Sequence, residues 1–310
     1  MILVVGATGV LGKETARLLL VDGHKVRAMT RAAERANDLA QQGAEVIVGD
    51  LIDPDSLARA CRGVDHVFAA AHSFLGKGRY CSEAVDDRGH RVLIDAARSE
   101  GVKRFVYTSA LGAAADHPID FFRTKYAIEQ YLKASGLAYA ILRPSAFMEW
   151  HAHIFNGKSM LEKGRTQLLG SGTKRRNFVA ASDVAQFAAK VLTEPSVDQR
   201  LLEIGGPGNF SNNEVAELYA STAGIEPRIA HLPAALARVI ARIAQPIHPG
   251  LSRVMRLSSL PDDAYSETFD PTNLLRASPI RLTSLQEFVQ KQVTQGHHRP
   301  ASSAKANDTA

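Results

Sequence analysis

The chain has 310 residues, enough for about two domains or one large one, and 45% hydrophobic with 22% charged residues is ordinary globular composition. Disorder, collagen and coiled coil are thereby excluded as descriptions of the whole. The balance of 37 basic and 32 acidic residues gives +5, a mild and scattered excess. Its densest cluster, Lys174, Arg175 and Arg176, suits a solvated loop or a small anionic ligand, and no DNA-reading motif accompanies it, so no nucleic-acid partner is expected. Cys61 and Cys81 lie outside any CxxC or ligand-like Cys/His spacing, which argues against zinc and against a disulfide framework, so no metal is expected. The chain shows no basic n-region followed by an apolar stretch and no 18-residue apolar run. The expectation is a cytoplasmic protein with no signal peptide, no membrane span and no membrane partner. Oligomeric state is left open.

Residues 1–145 alternate regularly. Short apolar runs at 2–5, 25–29, 45–48, 66–70, 104–107 and 139–142 are near-continuous and Val/Ile-rich, which suits strands buried on both faces. Helical patterns separate them at 11–21, 56–62, 83–100 and 121–135. Asp53-Pro54 signals a helix start, and Gly101 and Gly136 read as C-cap glycines. Cys61 is expected inside a helix and Cys81 in a loop. This alternation predicts an α/β, Rossmann-type, doubly wound parallel sheet. After Arg143-Pro144 the pattern loosens. Residues 146–178 are mixed, a helix is expected at 182–193, a strand at 201–204, a helix capped by Ser211 and Glu214 through 223, and helices at 231–244 and 284–293. Asp183 reads as a helix cap. The expected division is a nucleotide-binding core over 1–145, a smaller, mostly helical C-terminal lobe over 146–294 interleaved with late core elements, and a disordered tail over 295–310.

The strongest motif is Gly6-Ala7-Thr8-Gly9-Val10-Leu11-Gly12, which follows a strand and opens a helix. Gly6 permits the tight turn, Gly9 lets backbone approach a pyrophosphate, and Gly12 permits close helix–strand packing. The first-turn N–H groups, from Thr8 through Val10, Leu11 and Gly12, and the positive end of the helix dipole face the phosphates. An acid about 20 residues further on would bind a ribose 2′-OH and indicate NAD. The next strand ends instead in Met29-Thr30-Arg31, where Thr30 and Arg31 suit a 2′-phosphate. NADP(H) is the preferred cofactor and NAD(H) remains possible.

At this point the chain resembles the atypical branch of the short-chain dehydrogenases/reductases, the NmrA-like and isoflavone-reductase-like NAD(P)-binding proteins, over about residues 1–225 and more weakly to about 290. Val48-Gly49-Asp50-Leu51 is similar to the family's third-strand segment, and the resemblance implies that Asp50 and Leu51 contact adenine. The segments 101–109, 135–144 and 202–207 also match, ending in Thr108-Ser109, Arg143-Pro144 and Gly206-Pro207. Thr108 and Pro144, each at a strand's carboxyl end, join the expected cofactor contacts. These motifs are specific for the family and not for a substrate.

Orthodox members of the superfamily carry Tyr-x-x-x-Lys, with both side chains on one helix face. Here Lys125 takes the lysine place and Phe121, which has no proton to give, takes the tyrosine place. Tyr126 points about 100° away. The resemblance implies two roles for Lys125: holding the nicotinamide ribose and polarising the substrate, or holding cofactor alone. Ser109 stands at the strand end as a candidate catalytic hydroxyl, with backbone bonding the equal alternative. A quinone suits a site without a strong acid, because its reduced anion is stable enough to take a proton from water, whereas a simple ketone leaves a basic alkoxide. Phe147, Met148 and Trp150 are candidates for an apolar wall of the substrate pocket, with packing between lobes the alternative, and Phe74, in the loop after the fourth strand, is a further pocket candidate that could face the cofactor. His151 and His153 lack a third metal ligand. The leading expectation is an NADPH-dependent oxidoreductase acting on a small-molecule quinone or other conjugated carbonyl. The alternatives are a non-catalytic NADP(H) sensor of NmrA type and, behind it, a cofactor-bound assembly factor.

Overall fold

Continuous Val/Ile/Leu runs need cover on both faces, and the chain supplies it with a parallel sheet between helical layers. The computed structural model describes residues 1–194, 200–261, 267–277 and 279–297. The strands in chain order are β1 (Ile2–Val5), β2 (Val26–Thr30), β3 (Glu45–Val48), β4 (His66–Ala69), β5 (Arg104–Thr108), β6 (Ala138–Pro144), β7 (Ala146–Phe147), β8 (Arg165–Leu169), β9 (Arg175–Val179), β10 (Arg200–Ile204), β11 (Asn209–Ser211) and β12 (Arg228–Leu232). The helices are α1 (Val10–Val21), α2 (Asn37–Gln41), α3 (Pro54–Cys61), α4 (His90–Ser99), α5 (Asp120–Ala134), α6 (Lys158–Lys163), α7 (Ala181–Thr193), α8 (Asn212–Ala223), α9 (Ala234–Ala244), α10 (Pro249–Ser258), α11 (Thr272–Ala277) and α12 (Leu285–His297).

Seven strands form the central sheet in the order β10-β6-β5-β4-β1-β2-β3, and every pairing in it is parallel. Alternate residues of each strand face opposite sides. Leu3, Val5, Val67, Phe105 and Ile141 pack with Leu57 of α3, Leu93 of α4 and Leu132 of α5. Val4, Ala28, Phe68, Val106 and Leu142 pack on the other face with Leu19 of α1 and Val184, Ala188 and Val191 of α7. The order turns back on itself between β1 and β4, the switch point at which open α/β sheets bind ligands beyond their carboxyl edge. A third core, with Met148, Met160, Phe178, Tyr219 and Val289, holds the second lobe together.

Several expectations need correction. The helix over 83–100 begins as a π-helix at Glu83–Gly89 and becomes α only from His90. Gly89 lies against Leu51, where a Cβ would come within 2.8 Å of the Leu51 carbonyl oxygen, so close backbone approach accompanies the wider turn. The helix over 231–244 starts at Ala234, because residues 228–232 pair as a strand with β8 and Pro233 fixes the turn between them. The lobe also contains a three-stranded and a two-stranded sheet beside its helices. Asp183 does not cap α7. Its buried carboxylate accepts from the N–H and hydroxyl of Thr283, 2.7 and 2.8 Å away, tying α7 to the approach of α12. Glu149 performs the capping role by accepting from the Ala181 N–H at 3.0 Å. The final helix runs to His297, inside the segment expected to be disordered, with Val289 and Val293 anchoring it in the lobe core. The remaining tail, 298–310, lies outside the described residues. Ser211 and Glu214 form the reciprocal capping box as expected, and Cys61 is buried in α3 with both cysteines unpaired.

Candidate functional site

The site is assembled at the carboxyl edge of the sheet. Gly6 has φ +84°, and a Cβ there would lie 2.8 Å from the Ala71 nitrogen. A Cβ on Gly12 would lie 2.2 Å from the Gly6 carbonyl oxygen, and one on Gly9 3.3 Å from the same atom. The Gly9 N–H closes the turn by donating to that oxygen at 3.0 Å. Side chains at Gly6 and Gly12 would collide with backbone and one at Gly9 would crowd it, so the bare turn can pack this tightly onto α1 and leaves room for phosphate against the helix N-terminus. Val10 opens α1 and Leu11 is buried beneath it. The Thr8 and Thr30 hydroxyls lie 3.5 Å apart across the ends of β1 and β2.

Beyond β2, the Arg31 guanidinium lies 4.6 Å from the ring centroid of Tyr80. The Tyr80 hydroxyl donates to Asp50 at 2.9 Å, and the other Asp50 oxygen accepts from the Ile52 N–H at 3.2 Å. Asp50 and Arg31 are thus brought together through Tyr80, a residue the sequence did not single out because its loop carries no periodicity. Leu51 is buried beside them.

Lys125 on α5 is 2% exposed. Its ammonium donates to the Thr108 carbonyl at 3.0 Å and lies 4.9 Å from the Tyr107 ring and 5.3 Å from the Phe121 ring. Burial pushes its pKa down, against the charges of Asp86 and Glu129, which favour the ammonium. Three buried neighbours were not anticipated. Asp86 accepts from the Ser73 N–H at 2.9 Å and from the Ser82 hydroxyl, which fixes the loop after β4. His90 is pushed down to about 4 by burial, with the Lys125 charge adding to it. The Tyr107 phenol is pushed up by burial, with the nearby carboxylates adding to it. The Tyr107 hydroxyl, His90 Nε2 and Thr108 Oγ1 are buried without hydrogen-bond partners. A cluster without periodicity, built from β5, α5 and the π-turn, is invisible before the chain is folded.

Ser109 is buried, and its hydroxyl donates to Glu129. Glu129 also takes a two-point bond from Arg143 at 2.8 and 2.7 Å, and this keeps the Arg143 guanidinium above its usual pKa despite partial burial. The geometry gives Ser109 a positioning role between β5, α5 and β6. Pro144 ends β6, and its carbonyl accepts from the Leu111 N–H at 2.9 Å.

The substrate-side residues divide. Phe74 packs edge-on against Phe121, with centroids 4.9 Å apart, and His72 and Phe122 also meet the Phe121 ring. Trp150 is exposed and leans toward Phe155 at 6.4 Å. Phe147 packs against the sheet core, and Met148 is buried in the lobe core, the packing alternative for both. His151 is pushed down to about 3 by burial, with Arg176 beside it. Arg176 in turn pairs with Glu267. His153 meets the Tyr219 hydroxyl at 3.2 Å. Among the described residues no cluster of His, Cys, Asp or Glu is disposed to hold a metal, and no helix is long and apolar enough to cross a membrane. The wall on the far side of Phe74 comes from α10, where Arg253 grips Asp120 at 2.8 to 2.9 Å and the Phe74 carbonyl at 3.1 Å. Burial disfavours the Asp120 charge, but the Arg253 hydrogen bonds hold its carboxyl below the usual range.

Known proteins share this fold. The chain is 33% identical to an NAD(P)H azoreductase of Xenophilus azovorans over 72% of its own length and 74% of the relative's. It is 29% identical to the photosystem II assembly factor Ycf39 of Guillardia theta over 75% and 73%. Among solved structures, the NADPH-dependent quinone oxidoreductase QOR2 of Escherichia coli, complexed with NADPH, has the same fold. The TM-score is 0.72 at 24% identity, covering 94% of this chain and 99% of that one. The family model described as NAD(P)H-binding matches residues 6–195. With the glycine cradle, the parallel sheet and these likenesses together, the chain belongs to the NAD(P)H-binding family, in its atypical short-chain dehydrogenase/reductase branch.

Proposed function

We propose that this chain is an NADPH-dependent oxidoreductase whose acceptor is a quinone or another conjugated carbonyl. The observation that carries the reading is Phe121, an aromatic ring packed by Phe74 and set 5.3 Å from the Lys125 ammonium, at the position where a proton-donating phenol would otherwise stand. A site so walled favours a flat, conjugated acceptor whose reduced anion needs no strong acid. The azoreductase relative supports redox chemistry on such acceptors.

When bound, NADPH supplies the hydride. Gly6, Gly9 and Gly12 clear backbone room for the pyrophosphate, and the first-turn N–H groups of α1 face it. Arg31 and Thr30 take the 2′-phosphate, and Asp50 with Leu51 borders the adenine. Lys125 has three donors and uses one on Thr108, which leaves two for ribose hydroxyls. Thr108 Oγ1, buried and unpartnered, is a further hydroxyl at the same place. The acceptor's anion collects its proton from solvent, since Ser109 is held by Glu129.

The test is oxidation of NADPH and NADH by a panel of quinones, azo dyes and simple ketones, followed by nicotinamide absorbance. Quinone-dependent NADPH oxidation with no ketone reduction supports the reading. Tight NADPH binding without turnover on any acceptor overturns it in favour of a non-catalytic NADP(H)-binding protein, the direction in which the assembly-factor relative points.

A further inference from the structure

Helix α9 is built the wrong way round for a helix that only packs on its own chain. Its inward residues are the small Ala237, Ala241 and Ala244, all buried. Its large aliphatics face outward: Leu236 is 45% exposed, Val239 51%, Ile243 67%, and Ile247, just past the helix, 75%. At 100° per residue, Leu236, Val239 and Ile243 fall in one stripe along a single side of the helix, and Ile247 follows in the turn after it. Leu251 at the start of α10 and Leu75 in the loop after β4 are exposed as well. Gly250, the neighbour of Leu251, lies against Leu75, where a Cβ would come within 2.4 Å of the Leu75 backbone. An apolar patch of this kind marks a surface that meets something.

The charge of the segment selects the occupant. From residue 227 to 261 there is no acidic residue, and there are five arginines: Arg228, Arg238, Arg242, Arg253 and Arg256. Arg253 is held by Asp120. Arg238 and Arg242 border one edge of the aliphatic stripe, are exposed, and have no carboxylate partner among the described residues. A second copy docked about a two-fold axis would bring the same arginine-bearing segment to both sides of the contact, with no acid in the segment to neutralise it. An aliphatic stripe bordered by unopposed arginines matches instead the boundary of an anionic bilayer, with side chains in the acyl region and guanidinium groups among the headgroup phosphates.

We propose that the outer face of α9, continued by Ile247 and Leu251, docks this protein on the surface of an anionic lipid bilayer. The sequence expectation of no membrane partner rested on the lack of an 18-residue apolar run, which a helix lying in the interface does not need. Through α10, Arg253 and the Phe74 carbonyl, the docked face is mechanically joined to the wall of the candidate substrate site. Docking would bring that wall to the layer in which an apolar quinone dissolves. This last link rests on the quinone reading, whereas the docking does not.

The test is co-sedimentation of the purified full-length protein with vesicles of phosphatidylcholine alone or of equal parts phosphatidylcholine and phosphatidylglycerol. The expected result is binding to the anionic vesicles, weakened by salt. The variants Val239→Glu and Ile243→Glu are each expected to lower partitioning on the order of tenfold. The double variant Arg238→Gln/Arg242→Gln is expected to weaken binding to the anionic vesicles only. NADPH binding and melting temperature, unchanged in all three, show that the fold is intact. No binding to anionic vesicles at low salt overturns the proposal. So does a dimer in analytical ultracentrifugation that Ile243→Glu dissociates, because a second copy then covers the face. Vesicle binding by a protein that reduces no quinone supports the docking and overturns the substrate reading alone.

Discussion

Replacing Lys125 with methionine separates the two things a buried ammonium can do. The side chain is 2% exposed and makes one hydrogen bond, 3.0 Å to the Thr108 carbonyl. Methionine keeps most of the stem volume, and Asp86 retains its bonds from Ser73 and Ser82. Burial outweighs the favourable charges of Asp86 and Glu129 at this ammonium, so exchanging it for an apolar group of similar size should move the melting temperature by less than about 3 °C, roughly 1 kcal/mol at this size. Cofactor affinity should respond quite differently. A hydrogen bond from a charged donor contributes about 1.5–3 kcal/mol, so losing the ribose contacts should raise the NADPH Kd by about 10- to 150-fold in a fluorescence titration. A second readout comes from pH. Folding lowers the lysine pKa through burial, so between that lowered value and the unfolded value of about 10.4 the unfolded chain holds more protons. The wild type should therefore gain stability relative to Lys125→Met as pH rises from neutral through that window. An unchanged Kd with a native melting curve would refute the assignment of Lys125 to the cofactor. A melting temperature lower by 10 °C or more, equally, would make the ammonium a structural element.

Two further substitutions probe the nucleotide end. Gly12→Ala places a Cβ 2.2 Å from the Gly6 carbonyl oxygen, backbone against backbone, so α1 must shift off the turn. NADPH binding should be lost in the same titration, and normal binding would sink the cradle. Arg31→Ala removes the guanidinium near Tyr80 and should reduce the preference for NADPH over NADH by about 10- to 150-fold, with NADH affinity unchanged. An equal fall for both nucleotides would show that Arg31 serves the loop through Tyr80 and not the 2′-phosphate.

The contrast between sequence and structure follows from the range of the interactions involved. The parallel sheet was legible because its strands are continuous apolar runs bounded by glycine and proline, and the phosphate turn because three glycines at fixed spacing admit one backbone path. The capping box at Ser211 and Glu214 was legible for the same reason: its bonds join residues three apart. Asp183 was misread because its partner, Thr283, is 100 residues away. His231 and Leu232 were read as the start of a helix because the pairing of Arg228–Leu232 with β8 outweighs a local pattern.

The site divides along the same line. The sequence determined that the helix position four residues before Lys125, Phe121, carries no proton donor, since helix geometry alone sets residues four apart on one face. Only the tertiary structure decided what surrounds that lysine. Asp86, His90 and Tyr107 reach it from a π-turn, a helix start and a sheet strand, and Ser109 is drawn to Glu129 across two elements. The outward aliphatics of α9 were equally hidden, because an amphipathic pattern shows that a helix has two faces but not which of them the rest of the chain covers.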